Sequence, residues 1–537
     1  WALERSSAIG LSSLGGLSGL VTLFLGNSAR TAPERKPGEA RTAMGIAKSV
    51  ALGLAAPTFA AFLLVLLSIG TSLLVVWTGN TFFPAQLDVD FHAGEHLAGD
   101  RLELMNAVHY APWWLVLAVA GGLLLLGAGM GLVVNINRFS LHAAYRDRLI
   151  RAYLGASRSE DERHPNPFTG FDEADNLAMT ALAGNRPLPV LNLTLNLVHG
   201  RKLAWQDRKA EPFSVSPLRC GSYVVGYRRA AEYAYSKTTG QAITLGTALA
   251  ISGAAASPNM GYHSSPAVTF LMTLFNVRLG WWLGNPRLKT YRKSGPLFAP
   301  RPLFAEAFGL TDDENPYVYL SDGGHFENLG LYEMVLRRCR WIVVSDAGED
   351  AGFDFSDLGG AVAKIRIDLG VPILFQKILM RPRDPQRSYD LTRSGDQAPY
   401  AAIGRICYSC ADRLAGDRPL DPDDDGWLIY VKASLNGSES VDVYNYAKAH
   451  PTFPHESTAN QLYTEAQFES YRELGSHAVE TLCAGLEEGD GLAELAALLR
   501  QAQGEPPPCQ PEASKGRPSP AQPPDQPPGQ PPNQPTK

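Results

Sequence analysis

Two stretches without a single charge constrain this chain of 537 residues more than anything else in it. The first, VALGLAAPTFAAFLLVLLSIGTSLLVVW, runs from Val50 to Trp77, and the second, PWWLVLAVAGGLLLLGAGMGLVV, from Pro112 to Val134. Each reaches the roughly 20 apolar residues that a helix needs to cross a bilayer. Trp77 closes the first run, and Trp113 and Trp114 open the second, as expected of aromatic rings at a membrane interface. The flanks orient the pair. Arg30, Arg35, Lys36, Arg41 and Lys48 precede the first run, and Arg138, Arg146, Arg148 and Arg151 follow the second. The segment between them carries Asp88, Asp90, Glu95, Asp100 and Glu103 against one Arg101. Basic flanks stay in the cytoplasm, so the sequence predicts a hairpin with an acidic outer loop and a cytoplasmic chain from Arg138 onward. Residues 8 to 26 are also apolar but rich in Gly and Ser; Gly15 and Gly19 suit close packing in a bilayer, and the same composition suits a buried helix or loop.

Beyond the hairpin, Asn137 to Gly155 reads as a basic amphipathic helix, either touching anionic headgroups or forming a solvated face. From about residue 160 to 500 the composition is globular. Strand candidates are Leu191–Val198, Ser222–Tyr227, Thr247–Ala254, Tyr317–Ser321, Trp341–Ser345, Ala363–Leu369 and Trp427–Leu435, with helical stretches between several of them, including Phe468–Leu486. That alternation predicts an α/β fold with a mostly parallel sheet. Asp421 to Asp425 is an acidic loop without the EF-hand spacing. After about Gly504 a Pro/Gln-rich tail begins, which cannot bury apolar surface. The expected organisation is an N-terminal segment and basic linker at 1–48, the hairpin at 49–135, a hydrolase-type domain at 136–503 and the tail at 504–537. A net charge of −6 argues against nucleic acid as a partner. Six cysteines make no disulfide framework, and Cys407 and Cys410 form a single C-x-x-C without a second pair. Thiols in a reducing compartment are expected, with no metal and no cofactor.

The densest chemistry lies in SDGGHFENLGLYE, Ser321 to Glu333. YVYL before it reads as a buried strand, so Asp322 falls where the strand stops. Gly323 and Gly324 follow, and from about Glu327 to Arg338 the apolar positions Leu331, Met334 and Val335 recur at helical spacing. A second strand, Trp341 to Asp346, completes a β–α–β pattern with a carboxylate at the edge where open α/β sheets place their sites. A tight turn in which Asp322 caps the next helix fits the same residues.

A second block, Ala248 to Pro266, joins an apolar run to a small-residue corner and a proline. Together the two blocks resemble the patatin-like phospholipase family, which includes the plant patatins and the cytosolic phospholipases A. In that family an A-S-x-A-x-P-like segment lines the cleft, and a later Asp-Gly-Gly supplies the aspartate of a Ser–Asp dyad. Ser252 to Pro258 is similar to the first segment and Asp322 to Gly324 to the second. A third block, Phe453 to Gly475, looks like the C-terminal region of large bacterial membrane-associated members, so the resemblance covers about 136 to 480. It implies a partial three-layer α/β/α domain with the hairpin inserted, two spans rather than three, and a membrane-lipid or other acyl-ester substrate. It also implies Asp322 as the catalytic base, with Gly323, Gly324, Ser252, Pro258 and Asn259 around the cleft.

Ester hydrolysis by such a dyad needs a nucleophile, which these hydrolases hold in G-x-S-x-G. No complete G-x-S-x-G occurs here; GLSGL at Gly16–Leu20 lacks the final glycine at Ser18, and Ser252 has the wrong flanks. In the family, the glycine-rich oxyanion loop and the serine both precede the Asp-Gly-Gly. The chain begins at Trp1 and is therefore expected to be the C-terminal portion of a longer polypeptide, whose N-terminal half supplies the serine. His199, His263 and His325 are expected in structural roles, Asn328 near the cleft, and Asp346 as a second, lower-ranked carboxylate. The rival readings are a membrane-tethered scaffold that kept the fold without the chemistry, and an unrelated α/β domain in which Asp-Gly-Gly is only a turn.

Overall fold

A computed structural model describes residues 43–82, 111–200, 208–236, 240–261, 264, 266–382, 398–416, 421–457 and 463–509. Residues 8–26, the acidic segment between the two uncharged runs (83–110), His263 and the tail beyond Cys509 lie outside the described residues. The chain forms a mixed α/β structure in two compact units. One comprises the chain up to Arg337 with Ala347–Ala361 and Val441–Arg472; the other comprises Arg338–Asp346, Val362–Ser440 and the chain from Glu473.

The two uncharged runs form the helices α1 (Ala43–Phe82) and α2 (Trp113–Val133). Windows Phe62–Gly79 and Trp113–Val133 are long and apolar enough to cross a membrane, and only 17% and 6% of them is buried. Leu124, Leu125 and Leu132 are each at least two-thirds exposed, an arrangement water would penalise along a whole helix face. Where the helices do meet, Val75 and Val76 pack on Leu115.

Within the first unit, polar contacts join the end of α2 to the rest of the fold. The Gly131 carbonyl accepts from Ala299 N–H, at the start of α6 (Pro300–Ala307). Four residues beyond the helix, Asn137 pairs with the backbone of Trp282 like an extra strand, its Oδ1 accepting at 2.9 Å and its Nδ2 donating at 2.8 Å. Arg278, 1% exposed, donates to the Ile136 carbonyl at 2.8 Å and to Glu306 at 2.6 Å. Chain then turns into α3 (Leu141–Leu149), whose last turn opens into a π-helical turn at Ile150–Leu154. The amphipathic helix expected at 137–155 is thus shorter and ends irregularly.

The main sheet of this unit has the order β4-β3-β2-β1-β6-β5, built from β1 (Leu191–Asn196), β2 (Ala210–Val215), β3 (Arg219–Ser222), β4 (Gly226–Arg229), β5 (Trp281–Gly284) and β6 (Tyr317–Asp322). Every pairing in it is antiparallel. The expected parallel sheet is corrected here, and the reason is connection length: β2 to β3 and β3 to β4 are joined by three-residue turns, too short for a crossover. The run expected as one strand at Ser222–Tyr227 contains the second of these turns. Leu193, Leu195, Val318 and Leu320 fill the core on one face, against Ala248 and Ile251 of α4 (Leu245–Ser252). That segment is the second correction: Thr247–Ala254 is helical rather than extended. Its alanines favour a helix, and the Thr244 hydroxyl caps it by accepting from Thr247 N–H. The short helix α5 (Pro266–Leu274) places Leu271 against Phe62 and Leu63 of α1.

A second sheet, in the other unit, has the order β7-β10-β9-β8, from β7 (Trp341–Asp346), β8 (Ile373–Phe375), β9 (Ala401–Ile406) and β10 (Gly426–Lys432). Only β7 and β10 run parallel in it. Strands β6 and β7 lie in different sheets, so the Asp-Gly-Gly stretch with its short helix α7 (Leu331–Leu336) is not a β–α–β unit of one sheet. Ala363–Leu369, expected as a strand, belongs to α8 (Ser356–Leu369): Leu358, Ala361 and Ile365 are buried at helical spacing, whereas Ile367 is 68% exposed. Helices α9 (Tyr408–Gly416), α10 (Val441–Ala449), α11 (Glu465–Cys483) and α12 (Leu492–Gln503) complete the described chain. Cysteine chemistry also departs from expectation: Cys407 and Cys509, 102 positions apart, form a disulfide, because the chain after α12 returns to the end of β9.

Glu306 is fully buried and its carboxylate is the counter-charge to Arg278. Removing one partner of a buried pair strands the other charge, so Glu306→Ala should cost about 3–5 kcal/mol. The double replacement Arg278→Met with Glu306→Leu should recover most of that, as read from thermal unfolding in detergent.

Candidate active site

An open cleft of about 320 Å³ forms in the first unit, where the end of β6, the start of β1 and the end of α4 converge. Asp322, Gly323, Gly324 and Ser252 line it, with Asn192 and Asn328. Antiparallel register between the two central strands pairs Leu193 with Asp322, which sets Asn192 beside the Asp-Gly-Gly turn. The turn itself is a short 3-10 helix, Gly323–His325, capped by Asp322, whose Oδ1 accepts from Gly324 N–H at 2.7 Å. Capping and lining the cleft are therefore roles of the same carboxyl group. The two glycines are there for space: a Cβ on Gly323 would come within 2.7 Å of the Asn192 carbonyl, and one on Gly324 within 2.7 Å of Asn328 Oδ1.

Burial pushes the Asp322 carboxyl up to about 6, against the opposing effect of the Gly324 N–H. No cation is paired with it among the described salt bridges, so desolvation prevails. A carboxylate in this state accepts a proton more readily than one in water. On the opposite wall, Ser252 donates from Oγ to the Asn192 carbonyl at 2.8 Å. The hydroxyl is held by backbone rather than by a base.

Tyr145, on α3, also reaches this region. A Cβ on Gly253 would lie 2.6 Å from its hydroxyl, and one on Gly246 would lie 2.5 Å from Ile150, so both glycines let α3 approach α4 closely. Burial, and then the charge of Asp322, pushes the Tyr145 hydroxyl up. Two further residues shape the floor. Glu327, 7% exposed, spends its oxygens on the N–H groups of Leu329 and Tyr332, fixing the start of α7. Asn328 donates to Asp357 at 3.0 Å.

Other sequence-selected residues lie elsewhere. Pro258 and Asn259 are buried in the small-residue corner and do not line the cleft. Both side-chain atoms of Asn259 have no hydrogen-bond partner among the described residues. His325 is buried behind the turn, its Nδ1 at 2.7 Å from Ser321 Oγ and its Nε2 at 3.2 Å from the Ala255 carbonyl, which bolts the corner to the strand. His199 is exposed. Asp346 is committed to a buried pair with Lys432 at 3.0 Å and to the Tyr430 hydroxyl. Sequence reasoning missed Asn192, Glu327 and Tyr145. Asn192 could be found only from strand pairing, since nothing in LNLTLN marks one asparagine above the other.

No protein-family model matches the chain, and no curated protein does. Among solved structures it is similar to the human GIVD cytosolic phospholipase A2, with 16% identity and a TM-score of 0.35. The match covers 72% of this chain, which spans 55% of that one.

The raised carboxyl has a consequence for stability. A group that holds its proton more tightly when folded than unfolded leaves the fold unaffected below the unfolded value of 3.8 and destabilises it fully above about 6. Asn at this position keeps the cap through its amide oxygen and carries no charge. Thermal unfolding of Asp322→Asn and wild type should coincide near pH 3.5 and diverge toward pH 7, with the variant the more stable; equal melting points at pH 7 would show an acid of ordinary affinity.

Proposed function

We propose that this chain is the membrane-anchored, base-bearing part of a patatin-like lipid acyl hydrolase, a phospholipase or esterase acting on acyl esters at a bilayer surface. The single observation behind the reading is Asp322: a desolvated carboxyl raised to about 6, at a strand end, opening on a cleft. In this reading the partial three-layer α/β/α domain is completed by an N-terminal half that brings the glycine-rich oxyanion loop and a G-x-S-x-G serine. Asp322 takes the proton of that serine as it attacks the ester carbonyl, and returns it to the leaving alcohol. Gly323 and Gly324 shape the base's turn, while Ser252, Pro258 and Asn259 belong to the cleft wall and the corner behind it. Two spans hold the domain on the cytoplasmic face. The organisation proposed is linker to 48, hairpin to 135, hydrolase part to 503 and tail beyond.

Proximity to lipid is the second support. The chain leaves α2 and reaches the cleft through α3 alone, so Tyr145 stands one short helix from the bilayer exit. A substrate withdrawn from the membrane surface would meet the site with little travel through water. The scaffold reading draws on a different fact: no complete G-x-S-x-G occurs in these 537 residues.

Assay of the full-length protein on phospholipid vesicles and on a short-chain p-nitrophenyl ester separates the two. Asp322→Asn should lower kcat by about 10²–10⁴-fold, the range for loss of a general base. Wild-type activity should rise with pH through about 6, as the carboxyl ionises. Turnover retained by the variant, or absent from the wild type on every ester tried, would reject the hydrolase.

A further inference from the structure

Three cysteines converge at one point of the second unit. Cys407 is the one residue between β9 and α9; Cys410 lies in the first turn of that helix; Cys509 arrives from the segment that follows α12. Their sulfur atoms all lie within 4.8 Å of one another. Cys407 and Cys509 are bonded, and Cys410 keeps its thiol, 4% exposed. Cys407 is fully buried and anchored by its own N–H to the Pro372 carbonyl at 2.9 Å. One sulfur therefore has two possible disulfide partners, the present one across 102 positions and another three residues away in a C-x-x-C at a helix start.

We propose that Cys407, Cys410 and Cys509 form a thiol–disulfide exchange site that decides whether the C-terminal segment is tethered to this unit. In the exchange the Cys410 sulfur loses its proton and its electron pair forms a new S–S bond to Cys407. The Cys407–Cys509 bond breaks, its pair leaves on Cys509, and that sulfur takes up a proton. No external oxidant or reductant is consumed. Cys407–Cys509 is the pair formed in this structure; burial, then the nearby Asp425, pushes the Cys410 thiol up, so its thiolate is scarce and the attack slow.

The tether controls little else, which makes release possible. Gln503 at the end of α12 donates to the Ala401 carbonyl at 2.8 Å and stays in place. Beyond it, Glu505, 54% exposed, pairs with Arg405, 14% exposed, and with Arg500, 32% exposed, and Pro506 is buried. With the carboxylate half open to water, these pairs hold less firmly than a buried one. The Pro/Gln-rich sequence 510–537 follows Cys509 directly, so the exchange would free the point from which it emanates. If the domain faces the cytoplasm, as the proposed orientation has it, a disulfide there is expected to respond to redox state rather than serve as a fixed staple.

Full-length protein in detergent, equilibrated over a series of glutathione ratios, blocked with N-ethylmaleimide and digested without reduction, tests this by peptide mass mapping. Both Cys407–Cys509 and Cys407–Cys410 peptides should appear in the wild type. Cys410→Ser should leave only the first pair and Cys509→Ser only the second. Proteolysis between residues 504 and 510 should be at least tenfold faster in Cys509→Ser than in Cys410→Ser. Recovery of Cys407–Cys509 alone at every ratio would overturn the proposal, and so would a stoichiometric zinc ion retained on three protected thiols in protein purified without chelator.

Discussion

The antiparallel pairing of β1 with β6 is the constraint on which the rest of this structure depends. Both strands are central, and their inward residues are among the most completely buried in the chain. Core packing fixes the register, since a slip of one residue would turn Leu193 and Leu195 out of the core and Thr194 and Asn196 into it. The polar members of β1 are already spoken for on the other face. Asn196 donates to Ser321 Oγ at 2.8 Å, and Thr194 donates to the Gly323 carbonyl at 3.1 Å. Register in turn dictates that the chain leaves β6 at Asp322 with Asn192 beside it, and that a side chain at Gly323 would run into the Asn192 carbonyl. The cleft is a by-product of core geometry, and the affinity of its carboxyl for protons follows from how little water that geometry admits.

A second dependency runs from the two long apolar helices to the same place. Helix α2 ends on the Gly131–Ala299 contact, the Asn137–Trp282 pair and the buried Arg278, then feeds α3 onto α4 across two glycines. Each joint is short and directional. Apolar helices attached in this way position the cleft relative to the end of α2 without a long linker.

How much of this was legible in the sequence differs by element. Apolar β-branched runs with aromatics, as in YVYLS, WIVVS and WLIYVK, declared their strands because no competing period is present. Ala363–Leu369 misled because AKIRIDL alternates over seven residues, while its helical burial shows only when Leu358 and Ala361 are included. β2 was invisible because AEPFSV carries a glutamate and a proline, residues depleted in strands; Pro212 survives because β3 pairs only with the far end of β2. The Ser321–Glu333 stretch could be read as strand, turn and helix, but not the side of the sheet it would face, since that depends on pairing with a strand over 120 positions earlier. The cysteines failed for the same reason: no spacing rule links Cys407 to a residue in the approach to the tail.

The central claim is that Asp322 is a desolvated base. It is tested most directly by the carboxyl region of the infrared spectrum of detergent-solubilised protein, taken as a pH-dependent difference between wild type and Asp322→Asn. A single carboxyl band that loses its proton with a midpoint near 6 is the predicted result. A midpoint near 4, the value of an aspartate in open water, would contradict the account at its root.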